Sequence, residues 1–370
     1  MTPVTVWFAG GGTGGHLYPG LAIARALVAR DARVAPFFIG AHRGIEREIL
    51  PTTEFPFRLL DLHPLYRQAP WRNGRTLLGA VRAWRALTAQ ARIARPAAVV
   101  GTGGYAAGVA LAWARAHGIP TILHEPDSHP GLTTRAFARG ARAVYLGFPE
   151  AAAQLTTAAG ADVQALGAPI EPPPATPATP PTRAEARAHW ALPPDAFVLL
   201  AFGGSQGARA LNEVLAAWCA RGLPDGVALI WAPGRQQAPA YLSWESAMVR
   251  VRPYLSPMHT AYAAADVALA RAGAMSIAEL CAWGVPSVLV PLPTSAQNHQ
   301  AHNADAVAAS GAAVHMPQGT LTVDALEAVV TALRDDPARR AQMHTAARNR
   351  ARPAAADAIA QALLTHLPLR

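Results

Sequence analysis

The sequence has no lysine, and all 32 of its Lys/Arg positions are arginine. A lysine base, a lysine Schiff base and a lysine phosphate clamp are therefore excluded. Cysteine is nearly absent as well. Cys219 and Cys281 stand alone among Ala and Trp in helix-like segments, without metal-ligand spacing, and read as small core residues in a reducing compartment. Charged residues make up 15%, yet no run of 18 apolar residues is free of charge, so no transmembrane helix is expected. The first residues enter an apolar strand directly, with no basic leader or cleavage pattern, so no signal peptide is expected.

A chain of 370 residues with 51% hydrophobic content is long enough for two domains, each with its own core. Its net charge of +9 is uneven. Residues 1–166 carry 17 Arg against 9 acids, and residues 167–370 carry 15 against 14. The first half therefore expects an acidic neighbour: a membrane surface, a nucleic acid or a phosphorylated substrate.

The most informative stretch is Gly10-Gly11-Gly12-Thr13-Gly14-Gly15-His16. An apolar strand, Val4–Ala9, precedes it, and a helix over Leu21–Ala29 follows. Backbone N–H groups and the helix dipole attract anions at such a junction. The segment lacks the Gly-Lys-Ser/Thr ending of a P-loop and fits the dinucleotide spacing poorly. His16 is placed at the helix entrance.

Around this segment, strands alternate with helices. Strands are expected at Val4–Ala9, Arg33–Ile39, Phe57–Leu62, Ala97–Gly101, Pro120–His124 and Ala143–Leu146, with a long helix over Thr76–Ala94. From Pro169 to Pro181, seven of thirteen residues are proline, which marks a stiff connector. A second series of strands follows at Phe197–Ala201, Val227–Ala232, Met248–Val251, Val267–Ala270, Ser287–Val290 and Ala312–His315. The chain from Thr322 onward reads as helical. Near-continuous apolar strands between helices indicate an α/β protein with two Rossmann-like domains, parallel sheets and a central cleft. The division is 1–166 for the first domain, 167–181 for the linker, 182–350 for the second domain, and 351–370 for a terminal helix able to cross back.

Ligands in such sheets sit at the carboxyl ends of the strands, and glycine-rich segments recur there: Gly101-Thr102-Gly103-Gly104-Tyr105 and Gly203-Gly204-Ser205-Gln206-Gly207. Ser205 and the neighbouring amides suit a diphosphate, with an ordinary helix cap as the plain alternative. Glu279, about one turn into the helix after Ala270-Arg271-Ala272-Gly273, suits the hydroxyls of a ribose, and a solvated glutamate is its alternative. Asn298-His299-Gln300-Ala301-His302-Asn303 suits a polyhydroxyl ligand, or a polar loop. His124-Glu125-Pro126-Asp127 ends a strand on the same edge as the first glycine loop.

Residues His63–Pro96 hold seven arginines and no acid. Leu77, Val81, Trp84, Leu87 and Ala91 share one helical face, and Arg75, Arg82, Arg85 and Arg92 lie on another. The apolar face packs on the sheet, and the basic tip also suits anionic lipid headgroups.

Taken together, these motifs resemble the MurG family, bacterial transferases that add N-acetylglucosamine to the lipid-linked muramyl-pentapeptide of peptidoglycan. The matching residues are Gly10–His16 with Pro19-Gly20-Leu21-Ala22, Gly103-Gly104-Tyr105, His124-Glu125 with Gly131-Leu132-Thr133, Gly203–Asn212, Arg271–Glu279, and His299-Gln300 with Asn303-Ala304. They run in the family's order from about residue 4 to residue 316. The resemblance implies a GT-B fold, no required catalytic metal and no cofactor. It implies an inverting β-1,4 transfer from UDP-N-acetylglucosamine to undecaprenyl-diphospho-N-acetylmuramoyl-pentapeptide, at the cytoplasmic face of the membrane. It also implies catalytic roles for His16 as base, Tyr105 and Glu125. Thr13, Gly14 and Gly15 would face the acceptor diphosphate and donor sugar, with Asp127 at a donor-contacting position. Ser205 and Gln206 would meet the diphosphate, Leu255 the uracil, Ala274, Met275, Ser276 and Ile277 a phosphate, Glu279 the ribose, and Gln300 with Asn303 the sugar.

Two departures from the family stand out. Glu125-Pro126-Asp127 replaces Glu-Gln-Asn, and Ala168-Pro169-Ile170-Glu171 replaces Asn-Pro-Val-Arg. A carboxylate at 127 still accepts sugar hydroxyls. One at 171 would repel a diphosphate unless it points away or Arg209 or Arg271 compensates. Among competing readings, another GT-B transferase with a different lipid acceptor shares the donor half. A dehydrogenase needs a dinucleotide fingerprint that is absent. A nucleic-acid-binding protein needs aromatics interleaved with basic residues on a strand face.

Overall fold

The computed structural model describes residues 3–62, 73–170, 181–204 and 206–369. They fall into two compact units: Met1–Ile170 with Ala354–Arg370, and Glu171–Pro353. The acidic departure at Glu171 lies outside the described residues.

The first unit runs β1 (Val4–Gly10), α1 (Gly14–Arg30), β2 (Val34–Ala41), α2 (Glu46–Ile49), β3 (Phe57–Leu60), α3 (Asn73–Ile93), β4 (Ala98–Gly103), α4 (Gly104–Ala116), β5 (Thr121–Glu125), α5 (Leu132–Phe137), β6 (Ala143–Leu146) and β7 (Asp162–Gln164). Its seven strands form a parallel sheet in the order β3-β2-β1-β4-β5-β6-β7. Alternate residues of β1 feed opposite cores, as the period of a strand dictates. Trp7 stacks on Trp113 at 5.0 Å on one face, and Phe8 stacks on Phe38 at 5.2 Å on the other. Both faces are covered, which is why the strands read as unbroken apolar runs.

The second unit runs α6 (Arg183–His189), β8 (Phe197–Phe202), α7 (Arg209–Arg221), β9 (Val227–Ala232), β10 (Val249–Val251), α8 (Met258–Ala264), β11 (Val267–Ala270), α9 (Ala274–Trp283), β12 (Ser287–Leu289), α10 (His299–Ala309), β13 (Ala313–His315), α11 (Val323–Asp335) and α12 (Pro337–Arg350). Its six parallel strands take the order β10-β9-β8-β11-β12-β13. In each sheet the strand order thus reverses beside the first strand, at β1/β4 and at β8/β11. These are the points where loops part and leave a crevice at the carboxyl edge.

The last helix, α13 (Ala355–Leu364), belongs to the first unit. Ile359 and Leu363 are fully buried in the core that α1 also lines, and Asp357 pairs with Arg30.

Arginine carries structural work in α12. Arg340 donates to the carbonyls of Leu333 and Arg334, Arg348 to that of Ala282, and Arg350 to that of Ala306. These are the last carbonyls of α11, α9 and α10, where orphan acceptors and the negative dipole end favour a cation. A buried ion pair joins Arg187 of α6 to Asp266 at 2.6 Å, and Asp266 also accepts from the Val198 amide.

Three sequence expectations change. Helix α1 begins at Gly14 rather than Leu21, because Thr13 already accepts the first turn's amides from His16 and Leu17. Strand β7 is new; its three residues carry no apolar run. The apolar stripe of α3 does not all pack on the sheet. Leu87 is fully buried and Trp84 lies against the core, but Leu77 is 70% exposed, Leu78 52% and Val81 44%. The packed part of the helix runs from Ala83 to Ala91. Residues His63 to Arg72 of the basic segment lie outside the described residues.

Candidate active site

In the first unit, the glycine loop leaves β1 where its pairing to β4 slips, so that Gly10 sits opposite Gly103. The loop ends in Thr13 at the N-cap of α1, with no side-chain cap and no acid in the first turn. The His16 ring lies in the first turn of α1, its Nδ1 3.2 Å from the Gly11 carbonyl oxygen and 3.3 Å from Thr13 Oγ1. The His16 carbonyl accepts from Thr102 Oγ1 at 2.7 Å.

Across the ring stands the turn from β4 to α4. Gly103 and Gly104 hold φ of 101° and 76°. A Cβ on Gly103 would come within 2.6 Å of His16 Cδ2, and one on Gly104 within 2.1 Å of the Gly11 carbonyl oxygen. Both backbone geometry and space therefore require glycine here. The Tyr105 ring follows and borders Gly12.

Strand β5 brings His124 and Glu125 to the same edge. His124 is fully buried; Nε2 lies 3.4 Å from the Gly167 carbonyl, and burial pushes its pKa down to about 4. It is neutral near pH 7. Glu125 accepts from the Asp127 amide at 3.1 Å and the Gly131 amide at 2.9 Å. Burial, helped by the nearby Asp127 carboxylate, raises it to about 7 despite those bonds.

In the second unit, Ser205 lies outside the described residues, and its flanks define the loop. Gly207, with φ of 81°, packs against the Pro233 carbonyl so closely that a Cβ would lie 1.8 Å away. Asn212, buried in α7, accepts from Trp231 Nε1 and donates to Pro233 O and Gln237 Oε1, each at 2.9 Å. Gln237 in turn reaches the Gln206 carbonyl. This brace has no counterpart among the residues singled out from sequence, where Asn212 was only the end of a motif.

Gly273 is the N-cap of α9, which has neither a side-chain cap nor a first-turn acid. The Ile277 amide donates to Gly273 O at 3.0 Å, so this amide is committed inside the helix, whereas Ala274, Met275 and Ser276 form the helix's first three positions. Glu279, one turn on, accepts a 2.5 Å hydrogen bond from the Tyr262 hydroxyl of α8. Tyr262 is a partner that no spacing rule signals. Leu255 buries its side chain.

Gln300 accepts from the Leu292 amide through Oε1 at 2.9 Å, which leaves its NH2 to donate elsewhere. Asn303 is fully buried and donates to the Ala272 carbonyl, just before the entrance of α9. Arg209 pairs with Glu213, and Arg271 donates to the Val290 and Pro291 carbonyls and to Gln318. No cluster of three or more His, Cys, Asp or Glu side chains able to hold a metal occurs among the described residues.

Residues 6–146 match the glycosyltransferase family 28 N-terminal domain and residues 198–361 the family 28 C-terminal domain. With two parallel α/β units, these matches define a GT-B glycosyltransferase. Two relatives named UDP-N-acetylglucosamine–N-acetylmuramyl-(pentapeptide) pyrophosphoryl-undecaprenol N-acetylglucosamine transferase are similar over nearly the whole chain. The one from Desulforudis audaxviator is 39% identical, covering 96% of each chain. The one from Moorella thermoacetica is 38% identical, covering 97% of this chain and 98% of its own. The crystal structure of Acinetobacter baumannii MurG superposes with a TM-score of 0.74 at 28% identity, over 98% of this chain and 100% of that one. The chain belongs to this MurG family of N-acetylglucosamine transferases. The glycotransferase of kitacinnamycin, at 21% identity and a TM-score of 0.71, shares the fold.

Proposed function

We propose that this chain moves N-acetylglucosamine from UDP-N-acetylglucosamine to the C4 hydroxyl of undecaprenyl-diphospho-N-acetylmuramoyl-pentapeptide, with inversion at the anomeric carbon. His16 takes the hydroxyl proton, the new C–O bond forms, and the bond to UDP breaks with its electron pair leaving on the diphosphate. An imidazole is suited to this step because it exchanges a proton near neutral pH. The observation that carries the reading is the His16 ring in the first turn of α1, beside Gly11 and Thr13 of the glycine loop and against Gly103 and Gly104.

The second unit takes the donor in this reading. The amides of Ala274, Met275 and Ser276, and the loop at Gly203, Ser205 and Gln206, face the diphosphate. Without lysine, helix N-termini stabilise the charge that develops on UDP. Glu279 holds the ribose, the backbone at Leu255 meets the uracil, and Gln300 reaches the sugar with its NH2 while Asn303 supports the α9 entrance from beneath. Thr13, Tyr105 and Glu125 complete the acceptor side, and Asp127 contacts the donor.

The exposed Leu77, Leu78 and Val81, flanked by exposed Arg82 and Arg85, rest on an anionic bilayer at its cytoplasmic face in this reading. No helix among the described residues is long and apolar enough to cross a membrane. Radiolabel transfer from UDP-N-acetylglucosamine to the muramyl-pentapeptide lipid tests the reaction. His16→Ala is expected to abolish turnover with donor affinity little changed. A near-normal rate in that variant removes His16 as the base.

A further inference from the structure

Glu46 opens α2 and its residue is completely buried. The carboxylate is walled in by glycine. A Cβ on Gly11 would lie 1.8 Å from Oε1, and a Cβ on Gly44 1.8 Å from Oε2. Its two oxygens take backbone donors, Oε1 the Ala41 amide at 3.1 Å and Oε2 the Gly12 amide at 2.9 Å.

The Gly12 N–H and the Gly11 C=O are opposite ends of one planar peptide group. Glu46 binds the N–H end, and at the other end the Gly11 oxygen lies 3.2 Å from His16 Nδ1. A carbonyl oxygen only accepts, so this contact is a hydrogen bond when Nδ1 carries the proton. Thr13 Oγ1, at 3.3 Å, can accept from the same N–H. With the proton on Nδ1, the lone pair of the neutral ring is on Nε2.

We infer that Glu46 acts through the Gly11–Gly12 peptide group to hold His16 as the Nδ1–H tautomer and to make its ring more basic. The physical cause is polarisation along a hydrogen-bonded chain. A carboxylate on the N–H end strengthens the dipole of the peptide, and its carbonyl becomes a better acceptor. A better acceptor at Nδ1–H favours the imidazolium over the neutral ring. A carboxylate bonded directly to a catalytic histidine does this in hydrolase triads. Here one peptide group stands between the two. Glu46 is a positioning residue, and its bearing on turnover rests on the reading of His16 as base.

His124 of β5 interacts electrostatically with the ring, and Tyr105 of α4 lies against the glycine loop. His124 stays neutral at working pH, since burial pushes its pKa to about 4. Tyr105 borders Gly12 through its ring edge. Glu46 is linked to the ring through a hydrogen-bonded peptide.

The test uses the full chain with 15N-labelled histidine, the His16 ring signals being assigned by their loss in His16→Ala. Wild-type His16 is expected to show Nδ1–H and unprotonated Nε2 in its neutral form. In Glu46→Gln the titration midpoint of the ring is expected to move to lower pH, with the acid limb of kcat moving alongside. The loss in kcat is expected at about 10–100-fold, by analogy with the partners that orient metal-bound histidines, with KM for UDP-N-acetylglucosamine within about twofold. An Nε2–H tautomer in the wild type overturns the inference, and needs no variant to fold. An unchanged ring midpoint in a folded Glu46→Gln overturns it too. The ring measurement reads Glu46 independently of catalysis. If the ring behaves as expected while His16→Ala still turns over, only the base assignment falls.

Discussion

Replacing Glu125 with glutamine should change how the first unit's stability depends on pH. The carboxyl loses its proton near pH 4.5 in the unfolded chain and at about 7 in the folded one, chiefly because burial disfavours its charge. Between those values the native state holds a proton that the unfolded state has released. Stability therefore falls as pH rises through this window, is fully present below pH 4.5, and levels off above 7. The difference of about 2.5 units corresponds to roughly 3 kcal/mol at about 1.4 kcal/mol per unit. Glutamine does not titrate. It also offers one acceptor oxygen where Glu125 offers two to the Asp127 and Gly131 amides, a loss of about 1–3 kcal/mol at every pH. The wild type should thus exceed Glu125→Gln by the larger margin at pH 4.5, and that margin should shrink by roughly 3 kcal/mol by pH 8. Groups that titrate alike in both proteins cancel in the difference. Hydrogen exchange at the amides of β1, β4 and β5 reads this unit separately from the other. A margin that stays constant across the window would refute burial as the controlling cause.

Other variants test other parts of the account. Glu279→Ala is expected to weaken UDP binding by ~1–3 kcal/mol, and Tyr262→Phe by ~0.5–1.5 kcal/mol, both read by calorimetry; equal affinities would remove the ribose assignment. Leu77→Glu with Leu78→Glu should reduce sedimentation with anionic vesicles while leaving the melting temperature nearly unchanged, since both side chains are exposed. Arg187→Met should destabilise the second unit by about 1.5–3 kcal/mol in denaturant titration, the range for a hydrogen bond to a charged group, because Asp266 loses its buried partner and keeps the more exposed Arg183 and the Val198 amide.

Much of the fold was visible in the chain. Strands such as Val227–Ala232 and Ala143–Leu146 are found with the expected ends, because a strand covered on both faces must be apolar throughout. The helix boundary at Gly14 was obscured, since five glycines in six positions read as loop, whereas Thr13 closes a turn that the glycines merely permit. The stripe on α3 had the right period from Leu77 to Ala91, but periodicity cannot tell which part of a stripe finds a neighbour. His16, Glu125 and Glu279 stood out because they follow strands. Glu46, Asn212 and Tyr262 did not, since each acts on residues 17 to 34 positions away.

Residue order alone determined the alternation of apolar strands and helices, the glycine-rich junctions and the exclusion of lysine chemistry, all properties of neighbours along the chain. Tertiary structure alone decided the strand order that sets β1 beside β4, the burial that neutralises His124 and lifts Glu125, and the peptide group that links Glu46 to His16. Desolvation and hydrogen-bond direction depend on what lies across space from a group, and only the folded chain supplies that.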